Sequence, residues 1–315
     1  MNNTNGTNED NFYKELYNTI SIVTLPLVVV GFICNLFLLF VIRSHRDFYK
    51  PTYYLIAILT ISDIIVSITM IYGFSQLFTR TVDKNTASAM CKSAVYITFA
   101  SYTISILTLD LIAIDKYFAL ARPSSAFYLK YKNKFLVTAE ISIWIFAFII
   151  NAPVIAYFES KDKDYGLCDF IDITISISIY IIVLVVFLYI IPSILIIVMH
   201  AKIIRFQKNY VRPFTIEENR QANLRNKKLI KALMYIALSN VCITWPYFAT
   251  LLGNAITQTS YFQLRASNKV VYVLSLLSRS ITASIIIVSP FTYFKFDRNI
   301  RKRAKVIIKQ IFNKD

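Results

Sequence analysis

The sequence predicts an all-α membrane protein, a bundle of seven transmembrane helices followed by an amphipathic helix at the C-terminus. Three observations support this fold class. Hydrophobic residues make up 56% of the 315 residues and charged residues only 17%, whereas soluble domains contain roughly 45–50% apolar and about 25% charged residues. Seven apolar runs are long enough to cross a bilayer, and most basic residues lie between alternate runs.

The seven runs define the predicted organisation of the chain. A hydrocarbon core about 30 Å thick requires about 20 mainly apolar residues per helix. Such runs lie near residues 19–42, 52–78, 93–120, 135–158, 173–200, 233–256 and 270–294. We therefore predict an extracellular tail at 1–18, a seven-helix domain at 19–294, and a cytoplasmic amphipathic helix and tail at 295–315.

The distribution of Lys and Arg predicts the orientation in the plasma membrane. With the N-terminus outside, the four cytoplasmic segments contain 24 Lys and Arg and the four external segments contain 8. Basic loops are retained in the cytoplasm, so this orientation is expected and the reverse is not. In the tail, Asn2 and Asn5 each begin an N-glycosylation sequon, which is modified only on the lumenal or extracellular side.

The net charge of +16 does not indicate a nucleic-acid partner, because the basic residues alternate with apolar runs instead of covering one surface. After the last span, apolar and basic residues fall on different faces of one helix, which is typical of a helix lying on anionic membrane lipids. A solvated basic tail is the alternative. Neither His45 nor His200 belongs to a nucleophile or metal-ligand pattern, so we predict no enzyme and no such metal site.

Motifs in all seven spans follow the order and spacing of one receptor family. The most specific is IDKYFALARP, in which Asp115, Lys116 and Tyr117 stand where that family has Asp-Arg-Tyr, with Pro123 at the matching distance. The other matches are Gly31, Asn35, Leu59, Asp63, Trp144, Pro192, Pro246, and the SPFTY motif with Ser289, Pro290 and Tyr293. The chain thus resembles a divergent member of the rhodopsin-like, class A, G-protein-coupled receptors.

This resemblance implies a switch that is driven by binding. An external small-molecule or peptide ligand would rearrange the helices and activate a heterotrimeric G protein inside the cell, with arrestin as a further partner. It implies a disulfide between Cys91 and Cys168 and no cofactor except a sodium ion at Asp63. The implied switch residues are Asp115, Lys116, Tyr117, Pro246, Pro290 and Tyr293. The implied polar core, which could equally be a structural network without an ion, is Asn35, Asp63, Ser105 and Ser289.

Several positions depart from the family pattern. Lys116 replaces arginine, His200 replaces tyrosine, and Ser289 replaces asparagine, while Thr244 stands where a tryptophan is usual and Trp245 follows it. An ammonium lacks the planar set of donors of a guanidinium. A decoy receptor that binds without coupling is therefore one alternative. A transporter, suggested by the intramembrane acids Asp63, Asp110 and Glu140, is a weaker one.

The resemblance also places a ligand pocket in the outer half of the bundle. Thr98 stands where amine receptors have aspartate, and Ala283 stands where opsins have lysine, so neither a biogenic amine nor retinal is expected. Arg279 could bind a carboxylate or phosphate of the ligand. Alternatively, Arg279 pairs with Asp169 or Asp172 or extends outward. The predicted pocket residues are Thr98, Tyr102, Thr244, Tyr247, Phe248 and Arg279.

Overall fold

Seven helical segments long and apolar enough to cross a membrane form the protein, as described by a computed structural model. The structure describes residues 3–79, 84–121, 126–160, 168–209 and 217–312. The helices are α1 (Asn3–Arg43), α2 (Pro51–Thr79), α3 (Lys84–Ala121), α4 (Ala126–Asn151), α5 (Val154–Tyr157), α6 (Ile175–Val185), α7 (Ile191–Asn209), α8 (Glu217–Thr257), α9 (Tyr261–Ser267), α10 (Lys269–Ala283), α11 (Ile285–Phe296) and α12 (Arg298–Phe312). The predicted seven-helix bundle and C-terminal helix are confirmed.

Helix α3 is the most buried of these spans and packs against α2, α4, α7 and α8. The fifth span consists of α6, one wider π-helical turn at Val186–Ile190, and α7. Pro192 is the second residue after this turn. It has no N–H to donate to the carbonyl one turn earlier, which accounts for an irregular helix at this point. The seventh span is divided at Ser284 into α10 and α11.

A short antiparallel hairpin lies outside the helices and is absent from the all-α prediction. Strand β1 (Phe158–Ser160) pairs with β2 (Cys168–Phe170), so that Ser160 is opposite Cys168. The predicted fourth span extends too far, because α4 ends at Asn151 and Phe158 belongs to β1. Pro153, which cannot continue the hydrogen-bond ladder of a helix, lies at this break.

The disulfide and the C-terminal helix α12 distinguish the two ends of the bundle. Cys91 at the start of α3 is joined to Cys168 of β2, which confirms the predicted disulfide. We call this end of the bundle the disulfide end. The opposite end carries α12, and we call it the α12 end.

Helices α1 and α11 approach each other closely at Gly31. A Cβ atom on Gly31 would lie 2.7 Å from Cγ2 of Ile286, so only glycine fits there without a shift. One turn later, Nδ2 of Asn35 donates to the carbonyl of Ile286 at 2.8 Å. That carbonyl would normally accept from residue 290, but Pro290 has no N–H. Asn35 therefore satisfies an acceptor that the proline leaves open.

Helix α12 is fixed to the bundle through the residue that precedes it, Asp297, and through its buried face. Asp297 accepts from the backbone N–H groups of Asn299 and Ile300 and from the hydroxyl of Tyr53. Burial raises the pKa of Asp297, although these hydrogen bonds oppose the shift. Ile300, Ala304 and Ile307 are buried. The basic residues Arg298, Arg301, Lys302, Lys305 and Lys309 are exposed, as an interfacial helix requires.

Candidate functional site

A cavity of about 230 Å³ lies at the disulfide end, between α2, α3, α8, α10 and the hairpin. Five of the six predicted pocket residues line it, namely Thr98, Tyr102, Tyr247, Phe248 and Arg279. The other lining residues are Met70, Ala94, Val95, Phe99, Phe158, Cys168 and Thr282. The wall is thus mainly apolar, with hydroxyl groups and one guanidinium as its polar atoms.

The floor of the cavity is a set of aromatic rings held by packing and hydrogen bonds. The rings of Tyr102 and Phe248 lie 5.4 Å apart, and Phe248 stacks on Tyr189 at 4.9 Å. The hydroxyl of Tyr102 lies 3.3 Å from both Oδ1 of Asn240 and Oγ1 of Thr244. The floor therefore connects α3 directly to the middle of α8.

Thr244 lies beneath this floor. It is fully buried and contacts the cavity through Tyr102. Its neighbour Trp245 is 55% exposed on the outer face of α8, beside Tyr189. One residue corresponds to a rotation of about 100° around a helix, so the one-residue displacement of the tryptophan turns it away from the pocket.

Arg279 is partly buried and its guanidinium lies 4.1 Å from the ring centroid of Tyr261 in α9. Tyr17, Tyr247 and Asp169 also contribute to the electrostatic environment of this cation. A guanidinium over an aromatic face is attracted by the electron-rich ring. Such a contact orients the side chain but leaves its charge uncompensated.

Asp169, one of the predicted partners of Arg279, has another role. Its carboxylate accepts from the backbone N–H groups of Phe170 and Phe262 at 2.7 Å and of Tyr261 at 3.4 Å. Burial raises the pKa of Asp169, while these N–H groups and Arg279 act in the opposite direction. Among the described residues, no ion pair joins Asp169 to Arg279. Asp169 instead caps α9 and ties the hairpin to it.

Two lining residues that the sequence analysis did not identify come from the hairpin. The ring of Phe158 of β1 contacts that of Phe170 of β2, with 4.1 Å between ring centroids and 44° between their planes. Cys168 lies at the cavity wall. The available signal was the predicted disulfide, because a bond from Cys168 to the top of α3 must bring its neighbours over the bundle.

The predicted polar core is partly assembled around Asp63 of α2. Ser289 and Tyr293 both contribute to the electrostatic environment of the Asp63 carboxylate. The Oδ1 atom of Asn35 is buried and has no hydrogen-bond partner among the described residues. Ser105 is buried on α3, and its place in this core stays a prediction. These groups supply oxygen atoms, which hard cations prefer, so the donors fit the predicted sodium ion.

At the α12 end, the Asp-Lys-Tyr motif forms a compact charge cluster. The carboxylate of Asp115 is fully buried, 2.7 Å from Nζ of Lys132 and 3.6 Å from Nζ of Lys116. Lys116 also donates to Oγ1 of Thr52 at 2.6 Å. Tyr117 lies beside Lys202, whose Nζ is 5.7 Å from its ring centroid. The sequence analysis missed Lys132 and Thr52, whose proximity to Asp115 depends on the packing of α2 and α4 against α3.

His200 and Tyr293 are buried near this cluster. Nδ1 of His200 and the hydroxyl of Tyr293 have no hydrogen-bond partner within the described parts of the chain. A small void of about 10 Å³ separates His200 and Lys116 from α8. Pro246 lies inside α8 and Pro290 inside α11, where each removes one backbone hydrogen bond and weakens the helix locally.

The remaining intramembrane acids differ from each other. Glu140 accepts from the hydroxyl of Thr108 at 3.0 Å and from Nε1 of Trp144 at 3.1 Å. It is a satisfied bridge between α3 and α4. Asp110 is 5% exposed, and its Oδ1 has no hydrogen-bond partner among the described residues; we have no structural explanation for it. Of the candidate glycosylation sites, Asn2 and the side chain of Asn5 lie outside the described residues.

Comparison with known proteins shows which family matches the part of the chain that contains these motifs. A sequence model of the seven-transmembrane receptor (rhodopsin) family matches residues 34–293. The chain is 25% identical to human G-protein coupled receptor 65 over 292 residues, covering 88% of this chain and 80% of that receptor.

Two further relatives have ligands in their names. Galanin receptor 2a of Danio rerio is 23% identical over 91% of this chain and 77% of its own length. The 5-hydroxytryptamine receptor 1D of Cavia porcellus is 28% identical over 61% of this chain and 49% of its own length. The residues matched by the family model, 34–293, include both the cavity and the charge cluster.

Proposed function

The chain belongs to the rhodopsin family of seven-transmembrane receptors, and from this premise we propose that it is a G-protein-coupled receptor whose external ligand carries an anionic group. Proteins of this family are receptors and not enzymes. We further propose that the disulfide end faces the outside of the plasma membrane and the α12 end the cytoplasm. The excess of Lys and Arg in the segments at the α12 end supports this orientation.

One observation supports the ligand class more than any other. Arg279 lines a cavity whose other walls are apolar or carry hydroxyl groups, and its guanidinium lies over the neutral ring of Tyr261. A cation in such surroundings gains most from an anion that enters the cavity. The complementary ligand has an apolar body and a carboxylate or phosphate.

The size of the cavity limits the ligand further. Its volume of about 230 Å³ is smaller than the roughly 300–1,000 Å³ of sites for drug-sized molecules. A small organic acid or the C-terminal residues of a peptide would fit. An amine like that of the 5-hydroxytryptamine receptor is not expected, because Thr98 provides no carboxylate for it.

The proposed switch begins at the floor of the cavity. The hydroxyl of Tyr102 is hydrogen-bonded to α8, and Phe248 belongs to α8, which also contains Pro246. A ligand that contacts either side chain therefore acts on this helix. Moving the α12 end of α8 would open a surface for a heterotrimeric G protein, and Lys116 would then have to leave Asp115 and Thr52. The ligand shifts this equilibrium only by binding the open state more tightly. Arrestin at the same surface and a sodium ion at Asp63 are parts of this proposal.

The test uses G-protein dissociation in cells, measured with a panel of sensors against small carboxylates, phosphates and peptides with a free C-terminus. For an agonist found this way, Arg279→Ala should lower potency at least about 30-fold, since losing one partner of a buried charge pair costs roughly 2–5 kcal/mol. Arg279→Lys should retain part of the potency.

Arg265→Ala is the matched control, because Arg265 also lies over an aromatic ring at the disulfide end, 5.1 Å from the centroid of Tyr13, and does not line the cavity. At equal surface expression it should keep most of the potency. Equal potency of an agonist on Arg279→Ala and wild type, or of an agonist and its amide, would reject the anion proposal. Ligand binding without any sensor response would instead indicate an uncoupled receptor, and signalling restored by Lys116→Arg would establish that Lys116 is the cause.

A further inference from the structure

A stacked pair of aromatic rings joins α8 to the end of α11 at the α12 end of the bundle. The rings of Tyr235 and Phe296 are nearly parallel, with 7° between their planes and 5.1 Å between their centroids. Tyr235 is 42% exposed, so this pair lies on the outer surface of the bundle and not in its core.

Two ammonium groups surround the aromatic pair. Nζ of Lys231 lies 5.7 Å from the centroid of Tyr235 and 5.9 Å from that of Phe296, and Nζ of Lys295 lies 5.5 Å from Phe296. A third cation is close, because Nη1 of Arg301 donates to the carbonyl of Lys295 at 3.3 Å. Like charges at this proximity repel each other unless an anion lies between them.

No carboxylate of the described residues neutralises this group. Neither Lys231 nor Lys295 takes part in an ion pair there. The acid closest in sequence is Asp297, which is 4% exposed and already bonded to Tyr53 and to the start of α12. The cations therefore retain their charge for a group from outside the protein.

The surface next to the lysines is apolar and faces outward on both helices. On α8, the exposed residues recur at helical spacing and lead away from Lys231; they are Tyr235, Leu238, Cys242 and Trp245. On α11, Phe291 is 67% exposed one turn before Lys295. An apolar surface that faces outward on each helix, which on α11 is the ring of Phe291, thus ends at the same pair of ammonium groups; we call these two surfaces the stripes.

We infer that this place binds the headgroup of an anionic phospholipid, with its acyl chains along the two stripes. The anionic headgroup would lie at the lysines, and the acyl chains would lie along the apolar helix faces. Such a lipid matches both the charged part and the apolar part of the site. A soluble protein segment would match the charged part only, because the stripes face the hydrocarbon core of the membrane. The inference rests on the proposed orientation, which places the site in the cytoplasmic leaflet, where anionic lipids are concentrated.

The lipid would bridge two helices that the proposed switch must separate. Its headgroup would touch Lys231 on α8 and Lys295 on α11, in addition to the Tyr235–Phe296 stack. Bound lipid is therefore expected to favour the arrangement in which these helix ends are together, because a ligand stabilises the state to which it binds more tightly.

The experiment measures lipid retention by the purified full chain in nanodiscs of phosphatidylcholine that contain a minor fraction of phosphatidylserine. After transfer to detergent, bound lipids are counted by native mass spectrometry. Wild type should retain phosphatidylserine in preference to phosphatidylcholine, and Lys231→Gln/Lys295→Gln should reduce this preference roughly tenfold. Lys231→Arg/Lys295→Arg keeps both charges and should stay within about twofold of wild type.

Lys302→Gln/Lys305→Gln is the matched control, since it removes two exposed charges of α12 away from the aromatic pair. An equal loss in this control would overturn the inference by showing general attraction to the basic surface. Unchanged retention in Lys231→Gln/Lys295→Gln would overturn it as well, and if that variant also lost G-protein recruitment, the surface would be assigned to a protein partner. Nanodiscs expose both leaflets equally, so lipid retention in them does not depend on the proposed orientation in the cell. A wrong orientation would be revealed separately, by the accessibility of tags at the termini in cells. The two failures are therefore distinguishable.

Discussion

Arg279 and Lys116 lie among the helices at opposite ends of the bundle, and these two cations have different surroundings. Arg279 at the disulfide end lies over the ring of Tyr261 and faces a cavity. Lys116 at the α12 end lies 3.6 Å from the carboxylate of Asp115 and donates to Thr52. The first charge is available to an external anion, whereas the second is already compensated within the protein. The disulfide end is therefore suited to bind an anionic ligand. At the α12 end, Lys116 would first have to leave its present partners.

The largest expected effect concerns the compensated cation. Asp115→Ala leaves the ammonium groups of Lys116 and Lys132 facing each other without their carboxylate. Breaking a buried ion pair in this way costs about 3–5 kcal/mol of the free energy of unfolding. The midpoint of thermal unfolding, followed by fluorescence in detergent, should fall by roughly 10 °C.

Asp47→Ala is the control for this variant, because the Asp47 side chain is 76% exposed at the same end and its loss should leave the midpoint nearly unchanged. If Asp115→Ala unfolded at the wild-type temperature, Lys116 could not be described as compensated by Asp115, and the contrast with Arg279 would disappear.

A smaller loss is expected when only the second lysine is removed. Lys132→Met deletes the shorter contact to Asp115, at 2.7 Å, from a side chain that is 25% exposed. The carboxylate keeps Lys116, so we expect a decrease of about 1–2 kcal/mol, measured by the same unfolding assay. Lys130→Met, on an exposed side chain of the same helix, should have no such effect, and equal losses in the two variants would show that the contact to Asp115 contributes nothing.

Removing the cation at the other end should hardly change stability. Arg279→Leu deletes a partly buried charge that forms no ion pair with Asp169, so the lost contact with Tyr261 is offset by a lower cost of burial. The free energy of unfolding should change by less than about 1 kcal/mol, even though ligand potency is expected to fall strongly. A loss as large as that of Asp115→Ala would mean that Arg279 is a structural group and would contradict the proposed role in binding.

The smallest effect is a pH dependence at Asp169. Burial raises its pKa in the folded protein, so the folded state binds the proton more tightly than the unfolded state does. Stability should therefore rise as the pH falls through the folded pKa and should decrease again as the pH rises. Between about pH 7.5 and about pH 5, wild type should gain under about 1 kcal/mol relative to Asp169→Asn, which cannot titrate. Parallel pH profiles of the two proteins would show that Asp169 does not contribute.

The two ends also differ in how far the sequence could predict them. The seven spans follow from apolar length, and the place of Arg279 in the cavity wall follows from its position before Pro290. In contrast, Lys132 and Thr52 are distant from Asp115 along the chain, and no pattern of residues indicates that α2 and α4 bring them to it. The cap that Asp169 provides for α9 likewise depends on the path of the hairpin, which periodicity does not determine.

The sequence also could not predict the exact residues at which the spans end. Apolar residues continue past Asn151, so hydropathy extends the fourth span to Phe158, whereas backbone hydrogen bonding ends α4 before Pro153. The break at Ser284 has no proline or glycine beside it. It becomes visible only in the structure, where α11 begins immediately before the close approach of Ile286 to Gly31.

The contact between α1 and α11 has a consequence for chimaeric receptors. Pro290 exposes the carbonyl of Ile286, Asn35 satisfies it, and Gly31 provides the room for the approach. These positions function as one transferable unit, although more than two hundred residues of sequence lie between its halves. A chimaera whose first and seventh spans come from different parents should accordingly take both halves of this unit together, because the half in the seventh span alone leaves the carbonyl of Ile286 without a donor.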